Sequence, residues 1–422
     1  MKLAKTIIAS AIPLALMLGG HAQAADEIKI GVVTFLSGPA ASPFGVPARN
    51  AAELLIEQFN KGQAPAPYNN KGFGGANIKM VLIDESGSST SVVTEYRNLI
   101  QRENVDMVVG YISSGNCLAV GPVAEELKAV TVLFDCGTPR VFEEGNKDYV
   151  FRAVNHATAD SVGAALYLKS MGVTSANYAG INQNYAWGQD SWNDFDGSMK
   201  QIFPAAKVTT SQMPKLFAGQ YSAEISSVMS SKADVIHTSL WGGDLEALIL
   251  QSAPRGMYKR SKVVLTTGET AMYRLAKKIP DGTIIGARGP FGVLAPKTPL
   301  NDWFRASFID RYNVAPNYTA YQMVHALMAA KLGWEKAAAA AGGKPTQEQL
   351  AGAIRGMTYE GPGGVAKFSL ANGHQAVMET AYGMTKRVDG EMTLVDIKRF
   401  PAEQVMPKDG VKSSEWIANG FK

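Results

Sequence analysis

Residues 28–47 read IKIGVVTFLSGPAASPFGVP. The run 28–34 is short, apolar and rich in β-branched side chains, which predicts a buried strand. A Gly/Pro-rich loop follows, and helical spacing then continues to Lys61. A strand that feeds a helix through a loop opens a βαβ unit, and the next segments repeat the move. Residues 78–84 read as a strand. Residues 89–103 read as a helix, with Val92, Val93, Tyr96, Leu99 and Ile100 at helical spacing. Strand 107–110, helix 118–128 and strand 131–134 complete a first series. After Arg152 the alternation restarts and runs to about residue 285. Two such series predict an α/β fold of two doubly wound, Rossmann-like lobes.

Helices expected over 300–312, 318–341 and 347–355 have no sheet of their own and are assigned back to the first lobe. The tail, 365–400, reads as strands with turns at Asn372-Gly373 and Asp389-Gly390. The resulting division is 25–152 with 287–374 for the first lobe, and 153–286 with 375–422 for the second.

With 46% hydrophobic and 18% charged residues, the 422-residue chain has the balance of a globular protein. Lys2 and Lys5, an apolar run over 7–18 and the small-x-small pattern Ala22-Gln23-Ala24 read as a signal peptide over 1–24. The apolar run is too short to span a bilayer, which takes about 20 residues. Secretion to a bacterial periplasm is therefore expected. Losing Lys2 and Lys5 lowers the formal charge of +4 to about +2, too near neutral to call for nucleic acid as a partner. The densest basic stretch, Arg255, Lys259, Arg260 and Lys262, reads as a solvated turn.

Cys117 and Cys136 are the only cysteines. An even count in an oxidising compartment favours a disulfide between them, with two buried free thiols as the alternative. Signals of catalysis are thin. Gly72-Phe73-Gly74-Gly75 precedes a strand instead of following one, so it reads as a turn and not as a dinucleotide loop. Ser113 and Ser114 follow a strand, but Gly110-Tyr-Ile-Ser-Ser-Gly115 is not a nucleophile elbow. His156, His237, His325 and His374 have no histidine partner three or four residues away, so neither a metal site nor a cofactor is expected. His237, within an apolar strand, reads as a core residue.

Binding signals are better placed. Open α/β sheets hold ligands at the carboxyl ends of their strands. The loops there are Ser37-Gly-Pro, Ser113-Ser-Gly, Asp135-Cys-Gly-Thr, Asn184-Tyr-Ala-Trp-Gly, Trp241-Gly-Gly and Gly268-Glu-Thr. Hydroxyls and free N–H groups suit a carboxylate, an acid suits an ammonium, and aromatics can wall an apolar group.

IKIGVVTFLSGPAA, VDMVVGYISSG, YVFRAVNHATAD, NYAWGQD and LTTGET occur in this order along the chain. The ordered set resembles the periplasmic leucine/isoleucine/valine-binding family, the type I substrate-binding proteins of ABC importers. The resemblance covers nearly all of the mature chain. It implies two lobes joined by three crossover segments, with a small-molecule solute bound between them. By position it implies that Ser114, beside Ser113, holds a ligand carboxylate, and that Cys136, Gly137 and Thr138 add contacts from the first lobe. Trp187, in the same loop as Tyr185, stands where the second lobe usually offers a tyrosine; Trp241 lies near a second aromatic contact. Glu269 matches the acid that pairs with an α-ammonium. Asp135 would repel a carboxylate, and it is expected to point away or to cap a helix. The implied function is a monomeric, non-enzymatic receptor that closes on an amino acid, branched-chain or otherwise apolar, and delivers it to an inner-membrane ABC permease. The alternatives are an aromatic carboxylate, amide or urea-like solute for the same receptor, a sensor module, or a secreted α/β hydrolase using Ser113 or Ser114.

Overall fold

The computed structural model describes residues 27–174 and 176–422; the expected signal peptide, 1–24, lies outside them. The first series forms five parallel strands: β1 Glu27–Thr34, β2 Asn77–Asp84, β3 Met107–Gly110, β4 Thr131–Leu133 and β5 Val150–Arg152. The second series forms β6 Tyr178–Ile181, β7 Val208–Gln212, β8 Val235–Thr238, β9 Lys262–Leu265 and β10 Ile284–Gly286, also parallel. The tail adds β11 Thr358–Gly361, β12 Gly364–Leu370 and β13 Gln375–Val377 to the first sheet. It adds β14 Thr380–Val388 and β15 Glu391–Phe400 to the second.

The sheet orders are β11-β12-β13-β5-β4-β3-β1-β2 and β15-β14-β10-β9-β8-β6-β7. In each, the first strand of the series sits between the second and the third. The order in which the parallel strands are added therefore reverses at that point, and a crevice opens there at the carboxyl ends of the strands. The chain crosses between the sheets three times: after β5, after β10, and between β13 and β14. The last crossing is later than the break after 374 expected from sequence. Gln375–Val377 lies in the tail read as strands, but it pairs antiparallel with β12 and makes a parallel bridge at Arg152, partners that local periodicity does not show. Strands β5 and β11 were not foreseen from sequence.

Helix Tyr318–Ala341 packs along helix Val46–Lys61 and against β3 and β4. Leu55, Phe59, Met323 and Leu327 are buried in the core at this contact. The side chain of Asn317 caps its start by accepting from the N–H of Ala320, satisfying a donor that the first helical turn leaves free. Tyr318 is thereby fixed as the first helical residue. Helix Ser114–Glu126 begins four residues before the expected 118, with Ser113 extended at its N-cap. Ser114 thus stands in a first helical turn directly beyond β3. Among the described residues, no helix is long and apolar enough to cross a membrane.

Candidate functional site

The facing carboxyl ends of the two sheets enclose a cleft. Ile112 and Ser114 reach it from beyond β3, and Asp135 and Gly137 from beyond β4. The second lobe contributes Tyr185, Trp187, Trp241 and Thr267; Phe44, Arg288 and Tyr318 complete the lining. The space left is only about 10 Å³, about the room one water needs. The lobes are therefore closed on each other.

Charge in the cleft is concentrated on Arg288, just past β10. It is 3% exposed and forms an ion pair through Nη1 with Asp135, itself 1% exposed. Its Nε lies 3.3 Å from Oδ2 of the buried Asp160, and the guanidinium stacks 4.5 Å over the Trp187 ring. Nη2 has no hydrogen-bond partner. Burial lowers the Arg288 pKa to about 10, so it remains a cation at neutral pH; burial also pushes the Asp160 carboxyl well above its usual range. Such a network is costly to desolvate and worth keeping only where each charge has partners. Asp135 thus faces the cleft, contrary to the sequence expectation. The repulsion that argued for turning it away is offset by a guanidinium from a crossover segment distant in sequence.

The aromatic walls are held by their own polar atoms. Trp187 Nε1 donates to the Ser239 carbonyl at 2.8 Å, and Trp241 Nε1 donates to the Tyr185 hydroxyl at 2.7 Å. Phe44 packs 5.3 Å from both Trp241 and Tyr318, which ties the walls of the two lobes together. Ser114 Oγ accepts from the Thr138 N–H at 3.1 Å. A Cβ built on Gly137 would overlap the edge of the Trp187 ring, so this glycine is what lets the lobes meet there.

Five of the expected residues, Ser114, Gly137, Tyr185, Trp187 and Trp241, therefore come together. Ser113 lines an adjoining vestibule of about 510 Å³ that shares Tyr185 with the cleft. Its N–H donates at 2.7 Å to Glu85, a carboxyl that burial raises to about 7. Three expected residues are not in the lining. Cys136 is bonded to Cys117, with Cα atoms 6.4 Å apart, and its carbonyl accepts from Arg152. The disulfide thus ties helix Ser114–Glu126 to the loop that carries Asp135 and Gly137. The Thr138 hydroxyl donates to Asp190 of the second lobe at 2.6 Å. Glu269 accepts from the N–H of Tyr318 at 2.9 Å, from the Tyr273 hydroxyl and from the Val293 N–H at 3.4 Å. Its carboxylate stands behind the Tyr318 wall and positions it.

Sequence reasoning did not foresee Phe44, Ile112, Thr267, Arg288 or Tyr318. Arg288 had a usable signal, because it follows a strand as the other site loops do; Tyr318 had none, since its position depends on how a distant helix docks. His237 is a core residue, as expected: its ring stacks on Phe195 at 4.2 Å and Nε2 lies 3.1 Å from the Thr266 hydroxyl. No cluster of three or more metal-binding side chains occurs among the described residues.

Residues 27–390 match the model of a family described as periplasmic binding protein. Among curated proteins, the chain is similar to Leu/Ile/Val-binding protein homolog 4 of Brucella abortus (strain 2308), 26% identical over 260 residues. That match covers 59% of this chain and 58% of the relative, so it spans less than two thirds of that protein's length. Among solved structures, the leucine-, isoleucine-, valine-, threonine- and alanine-binding protein of Brucella ovis in its closed conformation superposes with a TM-score of 0.74. It is 20% identical, over 92% of this chain and 98% of that one. A solute-binding protein of an R. palustris ABC transporter, in complex with 4-hydroxybenzoate, gives a TM-score of 0.76 at 20% identity, over 89% and 98% of the two chains. Both likenesses establish the fold.

Proposed function

Because the chain belongs to the periplasmic binding protein family, matched over residues 27–390, we propose that it captures an amino acid with an apolar side chain between its lobes and presents it to an inner-membrane ABC permease from the periplasm. The observation that carries this reading is the Asp135–Arg288 pair inside an aromatic cleft. Opposite charges side by side are the complement of a zwitterion. Arg288 Nη2, which lacks a partner, with Ser114 beside it in the lining, is placed to take the α-carboxylate. Asp135 takes the ammonium in place of the expected Glu269. Phe44, Tyr185, Trp187, Trp241 and Tyr318 wall the side chain. Binding and closure are linked, because solute favours the state in which both lobes touch it.

A second reading has its own support. Five flat rings around one guanidinium also suit an aromatic carboxylate, and the R. palustris relative of this fold holds 4-hydroxybenzoate. Thermal unfolding of the mature protein against amino acids, aromatic acids and amides separates the two. A solute at 100 times its dissociation constant adds about 2.7 kcal/mol, enough to move the midpoint by a few degrees. A shift with leucine, isoleucine, valine or phenylalanine that Asp135→Asn abolishes supports the zwitterion reading. A shift only with aromatic acids or amides keeps the receptor role and overturns the amino acid.

A further inference from the structure

A second cavity, of about 210 Å³, shares no residue with the cleft. It lies between the loop after β4, the first crossover and the C-terminal segment 407–412. Arg152, the last residue of β5, lines it and is wholly buried. Its Nε donates to the Gln375 side chain at 2.6 Å, and Nη1 donates to the carbonyls of Thr138, at 2.7 Å, and Cys136. Nη2 has no partner, and among the described residues no carboxylate lies within ion-pair distance of this guanidinium. Its counter-charge is Glu143 in the same lining, which acts on it from beyond ion-pair distance, and a buried guanidinium paired only at that range is costly for a fold to keep.

The rest of the lining favours an anion. His156 is buried, and its Nδ1 accepts from the Thr158 N–H at 3.4 Å. Burial and the charge of Arg152 hold its pKa well down, so the ring is neutral with its proton on Nε2, a second donor. Lys408 and Lys412 stand exposed at the rim. The two acids in the lining are already engaged. Glu143 Oε1 accepts from the Ser413 N–H at 2.9 Å and its hydroxyl at 2.6 Å, and Asp409 accepts from the Asn372 N–H at 3.3 Å.

We propose that this cavity is a second ligand site, for a small oxyanion such as a carboxylate or phosphate group, with Arg152 as its anchor. The site is coupled to the cleft, because Arg152 holds the two carbonyls that flank Gly137. An anion on Nη2 fixes that guanidinium and, through it, the loop on which Asp135 and Gly137 meet the solute. Such coupling is reciprocal: solute in the cleft tightens the anion to the same degree.

The test uses the mature protein without solute, in sodium phosphate, sodium acetate or sodium chloride at matched ionic strength near neutral pH. Scanning calorimetry is expected to show a saturable rise of the midpoint with phosphate or acetate beyond that in chloride. The anion that gives the rise identifies the source. Asn146→Trp, which fills the cavity from an exposed position, and the exposed pair Lys408→Ala with Lys412→Ala are each expected to weaken the effect severalfold. Circular dichroism checks that both variants fold. A midpoint that follows ionic strength alone, or a rise that survives undiminished in both variants, overturns the proposal.

Discussion

Gly137→Ala isolates the step in which the lobes meet. A Cβ at this position would lie well inside the 3.4–4 Å of ordinary contact with the Trp187 ring, and 3.0 Å from Arg288 Nη2. The ring cannot swing aside freely, being held through Nε1 by the Ser239 carbonyl at 2.8 Å and covered by the Arg288 guanidinium at 4.5 Å. Gly137 belongs to the first lobe and Trp187 to the second, so the overlap exists only when the cleft is shut. Overpacking of a well-packed contact costs about 1–3 kcal/mol. Here that cost falls on the closed state alone. Closure and solute affinity are therefore expected to weaken together by about 5- to 150-fold. Titration calorimetry with the solute found by the thermal panel measures the affinity, and small-angle scattering of the solute-free protein measures the opening. The unfolding midpoint without solute should move less than the affinity does, since an open cleft relieves the clash. An unchanged dissociation constant with an unchanged scattering profile would show that Gly137 and Trp187 do not meet in the bound state, and the closure reasoning would fail.

Arg288→Met leaves Asp135 and Asp160 buried without their cation, and denaturant unfolding is expected to show a loss of about 3–5 kcal/mol; a loss below 1 kcal/mol would mean the network is hydrated. Replacing Cys117 and Cys136 together by serine opens a bridge spanning 19 residues. It should cost about 3 kcal/mol in the same assay, and equal stability of the two forms would contradict this. Glu269 has a pKa raised by burial from 4.5 to about 7. Its native pKa lies above the unfolded one, so the stability it contributes is present below about pH 4.5 and is lost as pH rises through about 7. Glu269→Gln keeps an acceptor for the Tyr318 N–H and is expected to flatten the decline in unfolding midpoint over that window; a slope equal to that of the native protein refutes the assignment.

The alternation of short apolar runs with amphipathic helices is a local property of the chain, and it sufficed for the α/β class, the two series and most element positions. Val208–Gln212 and Tyr318–Ala341 fall where periodicity put them. Strands β5 and β11 were not read from sequence, and β13, within a tail read as strands, could not be assigned to a sheet, because its partners lie far along the chain. Among these, β13 moved the last crossing. The same distinction holds for the cleft. Position at the carboxyl end of a strand picked out the loops that carry Ser114, Gly137, Tyr185, Trp187 and Trp241, and the resemblance to the leucine/isoleucine/valine-binding family singled out residues within them. What those ends face was not legible. Asp135 looked inward because Arg288, more than 150 residues later, neutralises it. Glu269 looked like a ligand-binding acid but is turned to the Tyr318 backbone, which arrives from a helix of the other lobe. Strand ends are set by local periodicity and turn chemistry. The direction of a buried charge is set by which counter-charge the tertiary fold brings within reach, since an unpaired ion in the interior costs several kcal/mol.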